Sequence, residues 1–241
     1  ELLYTRYYVT TEGNAADKLV IEHALRFLDE FRPNFLLVHL RQVDAAGHKY
    51  GASSSEYQQA ALRCDDYIRQ LATSMDLKRS VLIIVSSHGH LDQGGHGGDE
   101  AEVLNTPFVM VGENVLSGNR DVVLQTDLAP TIATLLGAPV PSTAQGNARL
   151  DMLRTGSVDK AQKWVAMANQ RVRIGNIYLY SIGQGPLSET IEGDMLVARS
   201  SLQVRNYESA YELARLAVEQ TNQEMQLARH SRIQHERDRR A

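Results

Sequence analysis

Through the first half of the chain, short apolar and β-branched runs alternate with stretches whose apolar residues recur every three to four positions, which is the pattern of an α/β layer fold. Leu2 to Thr10 predicts a strand, and Asn14 is placed to cap a helix that runs to about Phe31, where Pro33 stops it. Phe35 to Arg41 predicts a buried strand. Ser53 and Glu56 have capping-box spacing, so a helix is expected from there to about Met75. Val81 to Ser86 and Pro107 to Val111 predict two more strands. The stretch between them, Ser87 to Thr106, is polar, rich in glycine and too long for a simple connection, which marks it as a functional loop. Val122 to Gln125, a cap at Thr126 or Asp127, and a helix ending before Gly137 complete this part.

From about Leu150 the strand-and-turn rhythm gives way to long helical stretches at Val158 to Tyr180, Ser188 to Val204 and Tyr207 to about His235. The last ends in an arginine-rich run at Arg229, Arg232, Arg237, Arg239 and Arg240. Residues 151–241 carry a formal charge of +2 and residues 1–150 carry −6, so the two halves also differ electrostatically. The expected organisation is an α/β portion over residues 1–149 followed by a helical appendage over 150–241.

Composition narrows the function classes. With 43% hydrophobic and 22% charged residues, the chain has the make-up of a globular protein rather than a disordered one. A net charge of −4 gives no general field for a phosphate backbone, so nucleic-acid binding is not expected. The longest largely apolar runs, Phe35 to Leu40 and Val81 to Val85, fall far short of the ~20 residues of a membrane-spanning helix. The single cysteine, Cys64, excludes an internal disulfide and a thiolate zinc cluster. The chain starts at Glu1, and no basic segment followed by an apolar one precedes the first predicted strand, so no signal peptide is expected within it.

The chemistry gathers in three segments placed at predicted strand ends. Asp44 and His48 follow the run at Phe35, His88 and His90 follow the strand at Val81, and His96 lies further along the same loop between paired glycines. Catalytic groups of α/β sheets collect beyond the carboxyl ends of the strands, so these segments are expected to converge. One carboxylate and two imidazoles form a ligand set for zinc or a similar cation that leaves a position open for water or substrate.

At this point the sequence resembles a family. Asp44 to Gly51 (DAAGHKYG), Val81 to Gly89 (VLIIVSSHG), Gly94 to Gly98 (GGHGG) and Thr126 to Gly137 (TDLAPTIATLLG) resemble, in order, the C-terminal half of the alkaline phosphatase superfamily. The nearest likeness is to its type I phosphodiesterase/nucleotide pyrophosphatase branch, and it covers roughly residues 1–150. The resemblance implies a layered α/β sandwich, present in part, and two zinc ions serving phosphoryl transfer through a Thr or Ser nucleophile. It implies that Asp44, His48 and His96 hold one zinc and that His88 belongs to the second.

The family has an Asp-His pair where this chain has Ser87-His88, so the second site is expected to be weakened, with Asp92 or His90 as compensating ligands. The nucleophile belongs to the N-terminal half of the family's domain, no counterpart of which precedes Glu1, so no catalytic residue is assigned and the isolated fragment is expected to be inactive. The implied activity is metal-dependent hydrolysis of a phosphodiester or pyrophosphate, on a phosphorylated small molecule or lipid. Two alternatives stand beside it: a degenerate metal-binding domain, and a phosphoethanolamine transferase or sulfatase-like member. An extracytoplasmic or membrane-anchored setting, with any attachment outside the given chain, is implied by the same resemblance.

Overall fold

The computed structural model describes residues 16–239, so the strand expected at residues 2–10 and the cap expected at Asn14 lie outside the described residues. The chain divides into two compact units, one ending at Ser117 and the other beginning at Gly118.

In the first unit, helix α1 (Ala16–Phe31) packs Ile21 and Ala24 against Leu71 of helix α3 (Ser55–Ser74). The connection after α1 departs from expectation. Residues 35–41 form no strand; Leu36, Val38 and Leu40 turn inward onto the α1–α3 cluster, while Phe35 and Leu37 are 55% and 78% exposed. The period-two pattern is therefore real, but no neighbouring strand among the described residues completes a ladder with it. Helix α2 (Gln42–Tyr50) follows directly. The α3 cap sits one residue beyond the expected place: Ser54 Oγ accepts from the Tyr57 backbone N–H at 3.1 Å.

Strands β1 (Val81–Val85) and β2 (Phe108–Gly112) pair antiparallel, Val81 opposite Gly112 and Val85 opposite Phe108. The loop between them carries one short helix, α4 (Ala101–Leu104). Among the described residues the only sheet is this two-stranded one, so the unit is mostly helical. It is consistent with a partial α/β domain, and the expected layered sandwich is not seen.

The second unit opens with a 3₁₀ turn at Gln125–Asp127 and helix α5 (Leu128–Leu135). Three long helices follow: α6 (Ser157–Ser181), α7 (Glu189–Gln203) and α8 (Tyr207–Asp238). Their seam is built from small residues, with Ala161, Ala168, Ala198, Ala210, Ala214 and Ala217 fully buried, so the backbones approach closely. Gly175 is one such close approach, since a Cβ there would stand 2.7 Å from Thr221 Cγ2. Tyr178, Tyr207 and Tyr211 pack on this core, while Tyr180 faces out. The 32 residues of α8 span about 48 Å, and beyond Ala228 every described side chain is exposed. No helix among the described residues is long and apolar enough to cross a membrane.

Candidate metal centre

Asp44 and His48 lie four residues apart on α2 and so leave the same face of the helix. At nine residues, α2 is too short to persist on its own in water. Its first residues are held from outside. Asp17 of α1, 2% exposed, accepts the Arg41 and Gln42 backbone N–H groups with its two carboxylate oxygens, each at 2.9 Å. A carboxylate at the first N–H groups of a helix also complements the positive end of the helix dipole. Sequence reasoning missed Asp17, because a cap supplied from 24 positions away has no local signature.

The histidine-bearing loop is set against the other end of α2. Gly51 adopts φ +85°, and a Cβ there would fall 2.0 Å from the Asp92 carbonyl oxygen, so only glycine lets the loop lie this close. Ala52 N–H donates to the Leu91 carbonyl at 3.1 Å, and Gly89 N–H donates to that of Val103 at 2.8 Å. Leu91 N–H to the Gly95 carbonyl, at 3.1 Å, turns the chain back and returns His96 to His88, on which it stacks at 3.7 Å between ring centroids. The ring of His90 is wedged onto α2 at Gly47, where a Cβ would stand only 2.4–2.7 Å from its Cδ2, Cγ and Nδ1. Tyr57 closes the ring's surroundings, edge-on at 5.6 Å.

Around Asp44 Oδ1 the Nε2 atoms of His90, His48 and His88 lie at 3.2, 3.6 and 3.9 Å. Two sets of three side chains offer ligand atoms within 4.8 Å of one another: Asp44, His48 and His90, and Asp44, His88 and His96. All four residues carried over from the family therefore meet in one cluster, but His48 and His96 fall into different sets. Asp92 joins neither; it accepts a 2.5 Å hydrogen bond from Ser53 Oγ and is exposed. Ser87 is exposed and also belongs to neither set.

The donor chemistry fits a borderline divalent cation. Asp44 Oδ1 and both ring nitrogens of His90 are buried without a hydrogen-bond partner, and each such group costs about 1–3 kcal/mol if left so. His88 Nδ1 lies 3.1 Å from the Gly89 carbonyl; an N–H donated there leaves Nε2 as a lone pair facing Asp44. A carboxylate ringed by imidazole nitrogens is a cation's environment. Burial holds the His90 pKa below the ordinary imidazole range; Asp44 pulls it back up, and His88 and His48 press it further down. Tyr57 is raised, first by burial and then by the Asp44 charge.

The fourth matching segment does different work. Asp127 is 6% exposed and accepts the N–H groups of Leu124 and Asn147, at 3.3 and 2.8 Å. Thr131 Oγ donates to the Asp127 carbonyl at 2.6 Å and accepts from Arg149 N–H at 3.0 Å. Buried Arg171 of α6 donates to the Gly146 carbonyl at 3.0 Å. These bonds tie α5 to residues 146–149, and neither ligand set includes a residue of this segment.

Residues 6–133 match the family model for type I phosphodiesterase / nucleotide pyrophosphatase. Among curated proteins, the chain is 30% identical over 149 residues to the catalytic subunit of mouse GPI ethanolamine phosphate transferase 3, covering 60% of this chain and 14% of the relative. It is 26% identical over 165 residues to the human transferase 2 catalytic subunit, covering 60% and 17%. The transferase 3 of Schizosaccharomyces pombe is 26% identical over 139 residues, covering 53% and 14%. The chain thus spans about one-seventh to one-sixth of the length of these relatives. No solved structure matches it. With more than half of its residues matched and the Asp–His cluster carried by the matching segments, the chain belongs to the type I phosphodiesterase / nucleotide pyrophosphatase family of the alkaline phosphatase superfamily.

Proposed function

We propose that this chain supplies part of a zinc-dependent phosphoryl-transfer centre that moves ethanolamine phosphate onto a GPI-type lipid. The supporting observation is the gathering of His48, His88 and His96 around Asp44, one of whose carboxylate oxygens is buried and unpartnered. The names of the relatives supply the substrate class. When bound, the ion supplies Lewis acidity toward a phosphoryl oxygen. The protein's own part is to hold and orient. Asp44 brings the negative charge, Asp17 anchors the helix that carries it, and the Gly89–Val103 bond fixes the backbone beside His88. A lipid substrate places the reaction at a membrane surface, in keeping with an extracytoplasmic, membrane-anchored setting for the complete protein.

Hydrolysis of a phosphodiester or pyrophosphate is the second reading, favoured by the family's own description, and differs only in that water replaces the lipid hydroxyl. Serine at position 87 favours a third, binding without turnover, because it brings no charge to a second dication. The complete gene product, given a lipid donor labelled in its ethanolamine phosphate group and a GPI acceptor, separates them. Label moving to the acceptor, and lost in Asp44→Ala, is the expected result. Label released as free phosphoethanolamine indicates hydrolysis, zinc uptake with no turnover indicates binding alone, and transfer untouched by Asp44→Ala overturns the proposal.

A further inference from the structure

We infer that His90, which the family motifs do not assign, is a zinc ligand, and that it completes the Asp44–His48 set rather than standing in for the carboxylate missing at position 87. The inference rests on the metal reading above and concerns which side chains hold the ion. Two ligands on one tetrahedral zinc, bonded at about 2.0–2.1 Å, lie about 3.3 Å apart. Among the three imidazole-to-Asp44 separations, that of His90 Nε2, at 3.2 Å, comes nearest to this value, and His48 follows at 3.6 Å. His90 with Asp44 and His48 forms one of the two complete ligand sets, and the set holding His88 does not include it.

The burial of His90 asks for the same explanation. Its side chain is 3% exposed, yet Nδ1 has no hydrogen-bond partner and Nε2 faces only Asp44 Oδ1, at 3.2 Å but out of line for a hydrogen bond, which is rare for a buried polar group. A histidine kept only for packing would be expected to donate one N–H to a carbonyl, as His88 is placed to do with Gly89. Instead the ring is pressed into space that exists because residue 47 has no side chain, with Nε2 aimed at an equally unpartnered carboxylate oxygen. Because both ligand sets draw on the single carboxylate of Asp44, the anionic charge suits one tightly held dication.

Zinc titration by calorimetry and cobalt absorption of the intact chain test this. His90→Met is expected to weaken Zn²⁺ binding by more than about a hundredfold, beyond the 10–100-fold typical of losing an outer-shell partner. His90→Cys loaded with Co²⁺ is expected to show a thiolate-to-cobalt charge-transfer band absent from the wild-type chain, a signature that a packing role would not produce. Should His90→Met fold poorly, ¹⁵N shifts of the His90 ring in the wild-type chain on adding Zn²⁺ answer the same question. Unchanged zinc affinity in His90→Met together with loss in Asp44→Ala would overturn the role of His90 and leave the metal site standing. Wild-type protein that takes up no Zn²⁺ would overturn both.

Discussion

Replacing Gly47 with alanine sets two calculable effects against each other at the centre of the site. Gly47 lies inside α2, where alanine is favoured over glycine by about 0.8–1.0 kcal/mol. Against that gain, the new methyl would stand 2.4–2.7 Å from three atoms of the His90 ring, where ordinary contacts are 3.4–4 Å. The ring is hemmed in by Tyr57 and by the rings of His48, His88 and His96, so it must shift by roughly 1 Å, and overpacking of this kind costs about 1–3 kcal/mol. Gly47→Ala should therefore be destabilising in the wild-type background, by up to about 2 kcal/mol once the helical gain is deducted. In a His90→Ala background the clash is gone and the same change should stabilise by about 1 kcal/mol. The sign reverses. Native-state hydrogen exchange of α2 and α3 amides, with chelator present, reads the four corners of the cycle and gives a coupling of about 1–3 kcal/mol. If Gly47→Ala shifts stability in the same direction in both backgrounds, the wedged position of His90 is wrong.

Asp17→Ala removes both acceptors that hold the start of α2 and leaves two backbone N–H groups uncapped; chemical denaturation should show a loss of about 2–4 kcal/mol, with weakened zinc uptake although Asp17 touches no ligand. For the metal-free chain, the depressed pKa of His90 means that, as pH falls below about 6.5, the unfolded state binds a proton that the folded state resists. Denaturation midpoints should therefore fall with acidification through that range and level off below the folded-state pKa, and His90→Met should flatten the dependence. In the complete gene product, Ser87→Asp places a carboxylate beside His88 and should raise the affinity for a second zinc, measured by metal analysis after dialysis.

The long helices of the second unit were legible in the sequence because each is long, periodic and buried along one face, and observed ends match expectation to within three residues. β1 and β2 were legible for a simpler reason, a short apolar run between polar boundaries. Residues 35–41 show where such reasoning stops. Alternation reveals which side chains turn inward, but a strand exists only through its neighbour, and pairing is a property of the whole sheet. α2 was hidden because its stability comes from Asp17, not from its own nine residues. Two serines precede α3 and either could cap it; Ser54 does so, and Ser53 turns instead to Asp92. At the site, the residue types and their convergence could be read from spacing and resemblance. That His90 and not Asp92 falls into a ligand set could not, because it depends on the missing Cβ of Gly47 in another element.

The most direct measurement is anomalous diffraction from crystals of the chain grown with Zn²⁺, with data collected on both sides of the zinc absorption edge. A peak about 2.0–2.2 Å from Asp44 Oδ1, with imidazole nitrogens of the same cluster completing its shell, is the predicted result. Zinc located only elsewhere on the chain, with Asp44 and the four imidazoles bare, would contradict it.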